Sequence, residues 1–217
     1  MKSRVPATVR PHLVIAGTDT NVGKTVVSAA LAAALGAAYW KPIQSGLAGE
    51  TDSQTVSRLG RLPADRILRS VHSLALPASP HIAARREGVE IRQRQLVIPD
   101  TPGPLVIETA GGLMVPLSPR LLQIDVIADW QLPVVLVART ALGTINHTLL
   151  SLEALRRRRV PVQGVAFVGG PQPEVEATIV AMGRVRRLGR LPRIRRLDAD
   201  KLAAAFAKNF EIGAFVE

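Results

Sequence analysis

Residues 13–25 read Leu-Val-Ile-Ala-Gly-Thr-Asp-Thr-Asn-Val-Gly-Lys-Thr. Leu13 to Ala16 is a short apolar run of the kind that forms a buried strand, a polar loop follows, and a helix opens near Lys24. Gly23-Lys24-Thr25 is the end of a phosphate-binding loop, where backbone N–H groups at a helix N-terminus cradle phosphates. In such a loop Lys24 reaches the outer phosphates and the Thr25 hydroxyl ligates Mg²⁺. The spacing departs from the common G-x-x-x-x-G-K-[ST] pattern. Thr18 stands where the first glycine is usual, and Gly17 comes one residue earlier. The lengthened loop carries Thr18, Asp19, Thr20 and Asn21, and the extra residue is expected to bring Thr20 toward the reacting phosphate.

Outward from this loop, strands alternate with helices. A helix spans about Lys24 to Leu35, with Gly36 at the position of a left-handed C-cap. A second strand covers Ala37 to Trp40 and is stopped by Pro42, which leaves Lys41 and Ser45 on a loop at its C-terminal end. Residues 50–60 read as a helix with Thr51 as cap and Asp52 in the first turn. Further helices are expected at 82–87, 89–98 and 121–130, with strands at 105–107 and 134–138. The stretch 140–147 reads as a loop before a helix ending near Arg157. A strand at 162–168, a helix at 174–182, a short strand around Leu188 and a helix from Asp198 complete the chain. The pattern predicts one α/β domain over residues 1–217, ordered from about 11: a doubly wound parallel sheet with helices on both faces. Ligands of such sheets gather along the C-terminal strand edge.

Composition narrows the class of function. Only 3% of the residues are aromatic against 47% hydrophobic, so the core is expected to be aliphatic. The chain has no cysteine, which excludes thiolate metal sites and disulfides and fits a cytoplasmic protein. The first residues, Met1 to Pro6, show no signal-peptide core, and no apolar run reaches the ~18–20 residues of a membrane span. The net charge of +11 invites a nucleic-acid reading. Its distribution argues against one: eleven arginines and two acids lie between Arg156 and Arg196, at helix ends and in loops, with almost no aromatics for base stacking. No nucleic acid or membrane partner is expected.

Three strand ends then supply matched chemistry. The loop gives Lys24 and Thr25, the second strand gives Lys41 and Ser45, and the third gives Glu108 before Gly111-Gly112. Thr25, Asp52 and Glu108 together form the hard oxygen set that Mg²⁺ takes. Two lysines beside a polyphosphate offset the charge that builds during phosphoryl transfer. His81 and His147 sit at helix starts, where a structural role is the simpler assignment.

With these motifs in order, the chain resembles dethiobiotin synthase over about residues 12–170. The resemblance rests on Gly17 to Thr25, Lys41-Pro42-Ile43-Gln44-Ser45-Gly46, Ser79-Pro80-His81, Glu108-Thr109-Ala110-Gly111-Gly112 with Pro116-Leu117, and Leu142-Gly143-Thr144-Ile145-Asn146-His147. It implies an ATP- and Mg²⁺-dependent closure of 7,8-diaminononanoate with CO₂ to a cyclic urea, through a carbamate and a carbamoyl phosphate. It implies catalytic roles for Lys24, Lys41 and Thr20, and substrate contacts from Thr20, Lys41 and Ser45. The nucleotide would be held by Asn21, Val22, Gly23, Lys24, Thr25, Val26, Asp52, Glu108, Thr109, Ala110, Gly111 and Pro192, the last in a loop, 189–192, that resembles the family's nucleotide-flanking one. Thr25, Asp52 and Glu108 would hold the metal. It also implies a homodimer in which the partner's residues 143–146 meet the substrate carboxylate at a helix N-terminus.

Three positions depart from the family pattern. Asn21 replaces a common Glu, Thr109 replaces a frequent Gly, and Val168 stands where an Asn reads the base. The last leaves adenine without its usual reader, so other nucleoside triphosphates are expected to be accepted. Rival readings are another ATP-dependent amidoligase of the same branch, an ATPase switch, and a basic nucleic-acid-binding module. A switch needs neither the Lys41/Ser45 loop nor the 143–146 helix start.

Overall fold

The computed structural model of the chain describes residues 11–216. The expected character of the first ten residues lies outside the described residues. Strand β1 (His12–Gly17) runs into the phosphate loop and helix α1 (Lys24–Leu35). Gly36 ends α1 in the left-handed region at φ 59°, its N–H donating to Ala32 and Ala33 carbonyls. Strands β2 (Ala38–Trp40) and β3 (Ile43–Ser45) flank Pro42. Helix α2 (Asp52–Gly60) opens on Thr51, whose hydroxyl accepts from Gln54 N–H while the Gln54 side chain returns to the Thr51 N–H. A 3₁₀ turn at Ala64–Arg66, strands β4 (Ile67–Leu68) and β5 (His72–Leu74), and helix α3 (Pro80–Arg86) follow. After a 3₁₀ turn at Gln93–Gln95 come β6 (Leu105–Gly112), the short pair β7 (Pro116–Ser118) and β8 (Leu121–Leu122), and α4 (Gln123–Trp130). The chain continues through β9 (Val134–Arg139), α5 (Thr144–Arg157), β10 (Val162–Val168), α6 (Pro173–Gly183), β11 (Arg187–Leu191), α7 (Ala199–Asn209) and a 3₁₀ turn at Ile212–Phe215.

Seven strands form one parallel sheet in the order β11-β10-β9-β1-β6-β2-β4. Successive side chains of a strand point to opposite faces, and two cores result. Leu13, Ile15, Tyr39, Val106 and Val135 pack with residues of α1, α2 and α7. Val14, Ala16, Trp40, Ile107 and Leu136 pack with α3, α4, α5 and α6. The aromatic residues are few but concentrated: Phe206 and Phe210 stack at 4.5 Å beside Phe215, and Trp40 meets Trp130 at 5.9 Å. No helix among the described residues is long and apolar enough to cross a membrane.

The structure corrects several expectations. Residues 89–98 are not a helix; only the 3₁₀ turn at Gln93–Gln95 forms there. Ile91 and Leu96 are both buried in the same core, held there from irregular chain on either side of that turn. The Trp130 indole N–H also takes the Leu96 carbonyl at 2.7 Å. Helix α4 begins at Gln123 because Leu121 and Leu122 pair with β7 instead. Helix α5 begins at Thr144, so the expected loop 140–147 is shorter by about one helical turn. Pro42 does interrupt the main ladder, yet the chain resumes as β3 in a separate parallel pair with β5. The arginine-rich region ties elements together: Arg156 donates to the Gly183 and Arg184 carbonyls, Arg158 pairs with Asp125 at 3.1 Å, and Arg187 and Arg190 share Glu176.

Candidate active site

The phosphate loop closes on glycine at two points. A Cβ at Gly17 would lie 2.8 Å from the Asp19 carbonyl and 2.9 Å from Lys24 Nζ, so no larger residue fits beneath the loop. Gly23 has φ +102° and packs against Val168, whose Cγ1 would be 2.9 Å from an added Cβ. Val168 therefore places an apolar side chain on the loop. Asn21 also lies in the left-handed region, at φ 58°. Asparagine tolerates that region far better than glutamate does, which gives a backbone reason for Asn21. Helix α1 has no side-chain cap and no acid in its first turn, so the amides of Lys24, Thr25 and Val26 keep the positive end of the helix open to an anion.

Beside the loop, four side chains from four elements converge, Thr25 coming from the first turn of α1. Glu108 follows Val106 on one face of β6, and Lys41 follows Tyr39 on the same face beyond β2, with Tyr39 opposite Val106 across the ladder. Asp52 comes from the first turn of α2. Thr25 Oγ1 lies 2.6 Å from Asp52 Oδ1 and 2.8 Å from Glu108 Oε1. Lys41 Nζ donates to Asp52 Oδ2 at 2.5 Å and to Glu108 Oε1 at 3.1 Å. Lys24 donates to the Asp19 carbonyl at 2.9 Å.

The charges tune one another. Burial pulls Lys41 down, but the Glu108 and Asp52 carboxylates outweigh it and hold the ammonium above its ordinary value. Burial pushes Asp52 up, and the Lys41 charge with hydrogen bonds from Lys41 and Thr25 more than reverses this, leaving it below the usual range. Lys24 goes the other way. Its burial dominates the pull of Glu108, and its pKa falls from 10.5 to about 8.

The Thr25 hydroxyl has a single proton and two carboxylate oxygens within reach, so it satisfies one of them at most. One hydroxyl and two carboxylates are hard oxygen donors, and this set fits Mg²⁺.

The cluster opens into a cleft of about 470 Å³ whose lining includes Thr20, Asn21, Lys41, Ser45, Ala110 and Gly111. Thr20 is exposed, with its hydroxyl over Gly111, 3.5 Å from where a Cβ there would sit. Among the described residues, the buried Ser45 hydroxyl and Gln44 Oε1 on the same wall have no partner. Thr109 faces elsewhere: its hydroxyl donates to the Ile15 carbonyl at 3.3 Å and its side chain is enclosed between β6 and β1. Gly143, Thr144 and Ile145 line a different cleft, of about 300 Å³, with Gln172 and Val175. Asn146 is exposed on the first turn of α5. Pro192 follows the edge strand β11, three strands from β1. Tyr39 and Gln44 were not singled out by the sequence; the signal for Tyr39 was its two-residue spacing from Lys41 on a strand.

Sheet order, phosphate loop and the Lys24/Thr25/Asp52/Glu108 cluster define an α/β nucleotide-binding protein of the P-loop class. A family model described as an AAA domain matches residues 11–201. A ParA family ATPase from Chlorobium tepidum TLS superposes with a TM-score of 0.55 at 11% identity, covering 97% of both chains. An ATP complex of Cyanothece McdA gives 0.50 at 12% identity, covering 93% of this chain and 91% of that one. These likenesses are of fold. Sequence relatives are far nearer: the ATP-dependent dethiobiotin synthetase BioD of Rhodopseudomonas palustris (strain BisB5) is 57% identical over 94% of this chain and 97% of its own. The protein of the same name from Agrobacterium fabrum (strain C58) is 58% identical, over 95% and 97%. The chain belongs to the dethiobiotin synthetase family.

Proposed function

We propose that this chain is an ATP-dependent dethiobiotin synthetase, a cytoplasmic single-domain enzyme of biotin biosynthesis that works as a homodimer. One amine of 7,8-diaminononanoate adds to CO₂ and loses a proton, giving a carbamate. A carbamate oxygen then attacks the γ-phosphorus of ATP, and the bond to ADP breaks. The second amine attacks the carbamoyl carbon, phosphate leaves, and the amine proton passes to solvent as the urea ring closes.

The observation that carries this reading is a buried lysine, Lys41, on the wall of the cleft, with a second buried lysine, Lys24, in the phosphate loop itself. Lys24 and Lys41 are each 6% exposed, and Lys41 shares the cleft wall with Ser45 and Thr20. A carbamate is an anion attacking an anion, so fixed positive charge in a water-poor cleft lowers the barrier more than a solvated charge would. Lys41, on the substrate side, orients the carbamate oxygen and stabilises the charge on the transferring phosphoryl group. Lys24 and the α1 amides hold the outer phosphates, with Asn21, Val22 and Gly23 forming the rest of the cradle. Ser45 and Thr20 offer hydroxyls to the substrate. Thr25, Asp52 and Glu108 would hold Mg²⁺, which when bound neutralises phosphate charge. The unpartnered Thr144 hydroxyl and the uncapped α5 start, Gly143 to Asn146, suit the carboxylate of the substrate in the partner subunit. Val168 and the loop at Pro192 flank the base, and a valine there leaves base selectivity loose.

The test is conversion of 7,8-diaminononanoate with bicarbonate and Mg²⁺ to dethiobiotin, run with ATP, CTP, GTP and UTP. Product with ATP and measurable turnover with at least one other nucleotide is expected. No product with any nucleotide would overturn the reading.

A further inference from the structure

Glu108 is 1% exposed, and its two carboxylate oxygens have divided company. Oε1 accepts from the Lys41 ammonium and lies 2.8 Å from the Thr25 hydroxyl. Oε2 accepts from the Tyr39 hydroxyl at 2.9 Å. Tyr39 is fully enclosed, and its hydroxyl sits in a core otherwise built there from aliphatic side chains such as Leu13, Ile15, Val27 and Val106. A buried hydroxyl is costly unless it is hydrogen-bonded, and a phenylalanine would fill the same space without that cost. The position is set by the sheet: Tyr39 lies opposite Val106, and Glu108 is the next residue on that face of β6. The phenol thus reaches the far side of the carboxylate, away from Thr25.

We propose that Tyr39 is a positioning residue for the reaction: its hydroxyl fixes the rotation of the Glu108 carboxylate so that Oε1 faces Thr25 and Lys41, and this sets the cation site. The inference rests on the reading of Thr25, Asp52 and Glu108 as metal donors. Without the hydroxyl, Oε2 would be buried with no donor, and the carboxylate could turn about its last bond. Burial, reinforced by the charges of Glu108 and Asp52, holds the phenol well above its ordinary value, so it stays a donor. Partners that orient a metal ligand from behind commonly change metal affinity or activity by about 10–100-fold when removed.

The experiment titrates Mn²⁺, with a non-hydrolysable ATP analogue bound, against the wild type, Tyr39→Phe, Glu108→Gln and the double variant, counting free Mn²⁺ by electron paramagnetic resonance. Tyr39→Phe is expected to weaken Mn²⁺ binding about 10–100-fold and lower kcat, with the KM for 7,8-diaminononanoate unchanged. Glu108→Gln should lose tight Mn²⁺ binding, and adding Tyr39→Phe to it should weaken binding no further. Wild-type Mn²⁺ affinity in Tyr39→Phe, with affinity lost in Glu108→Gln, would overturn the role of Tyr39 and leave the metal reading standing. No change in either single variant would overturn both. A second measurement needs no variant. Tyr39 is the only tyrosine in the chain, so the tyrosine Raman doublet reports this hydroxyl alone. Adding Mg²⁺ with the analogue draws charge from Glu108, and the doublet should move toward weaker donation; an unmoved doublet would overturn the proposal.

Discussion

The cleft at Lys41 and the cleft at Gly143 both lie beyond the C-terminal ends of sheet strands, yet they are completed differently. At Lys41 every charge is answered within the chain: the ammonium meets Asp52 and Glu108, and Thr25 and Tyr39 serve the remaining carboxylate oxygens. At Gly143, among the described residues, no charged side chain lines the cleft, Leu142 stands fully exposed, and the buried Thr144 hydroxyl has no partner. The first cleft is preorganised, because β2, β6 and α2 are fixed by packing before any ligand arrives. Both clefts carry an orphan hydroxyl, Ser45 in the first and Thr144 in the second, but the second sets its own at a helix start with no charged group beside it. On the proposed function, chemistry sits on the rigid sheet edge and substrate recognition at a surface that a second copy of the chain completes.

The sharpest way to break this contrast is Lys41→Ala. It removes the ammonium between two carboxylates and should lower kcat by about a hundredfold or more, roughly 2.7 kcal/mol of transition-state stabilisation. Near-normal turnover in a steady-state assay would show that the preorganised cleft is not where charge is stabilised. A smaller effect concerns Lys24. Below about 8 it is an ammonium in the free protein, and between about 8 and 10.5 it is neutral. A bound polyphosphate favours the charged form, so binding at pH 9 must take up a proton, and affinity should fall by about tenfold at most per pH unit above that threshold. Calorimetry at pH 9 in buffers of differing ionisation enthalpy measures the uptake; none would remove Lys24 from phosphate contact.

At the other cleft, Thr144→Val keeps the shape and removes one neutral hydroxyl. The KM for 7,8-diaminononanoate should rise about 3–10-fold with kcat unchanged, the worth of one hydrogen bond. A fall in kcat with constant KM would place Thr144 with the chemistry and erase the distinction. Smallest of all, Val168→Asn should shift the ratio of kcat/KM for ATP over CTP toward ATP by a few-fold. An unchanged ratio would show that another element reads the base.

Much of the first cleft was legible because its signals are local. Gly36 and Thr51 end and start helices through their own backbone and side-chain chemistry, and the boundaries read from them agree with the structure to within a residue or two. Lys41 and Asp52 follow a strand end and a cap, and Glu108 follows the apolar run 105–107, although β6 continues past it to Gly112, so their candidacy needed no knowledge of tertiary contacts. Thr109 was different: its side chain turns toward Ile15 of β1, a neighbour 94 positions away in sequence. Residues 89–98 were misread for the same reason, since Ile91 and Leu96 are held by a core that the local pattern does not describe.

The sequence by itself determined the phosphate loop, the strand and helix alternation, and the residue types able to manage a polyphosphate, because each depends on backbone preference and spacing within a dozen residues. Only the tertiary structure decided that β6 lies between β1 and β2. That placement sets Glu108 beside Thr25 and between Tyr39 and Lys41, and it settles which oxygen each partner takes. Strand order is fixed by packing both faces of the sheet at once, and no single stretch of chain carries that information.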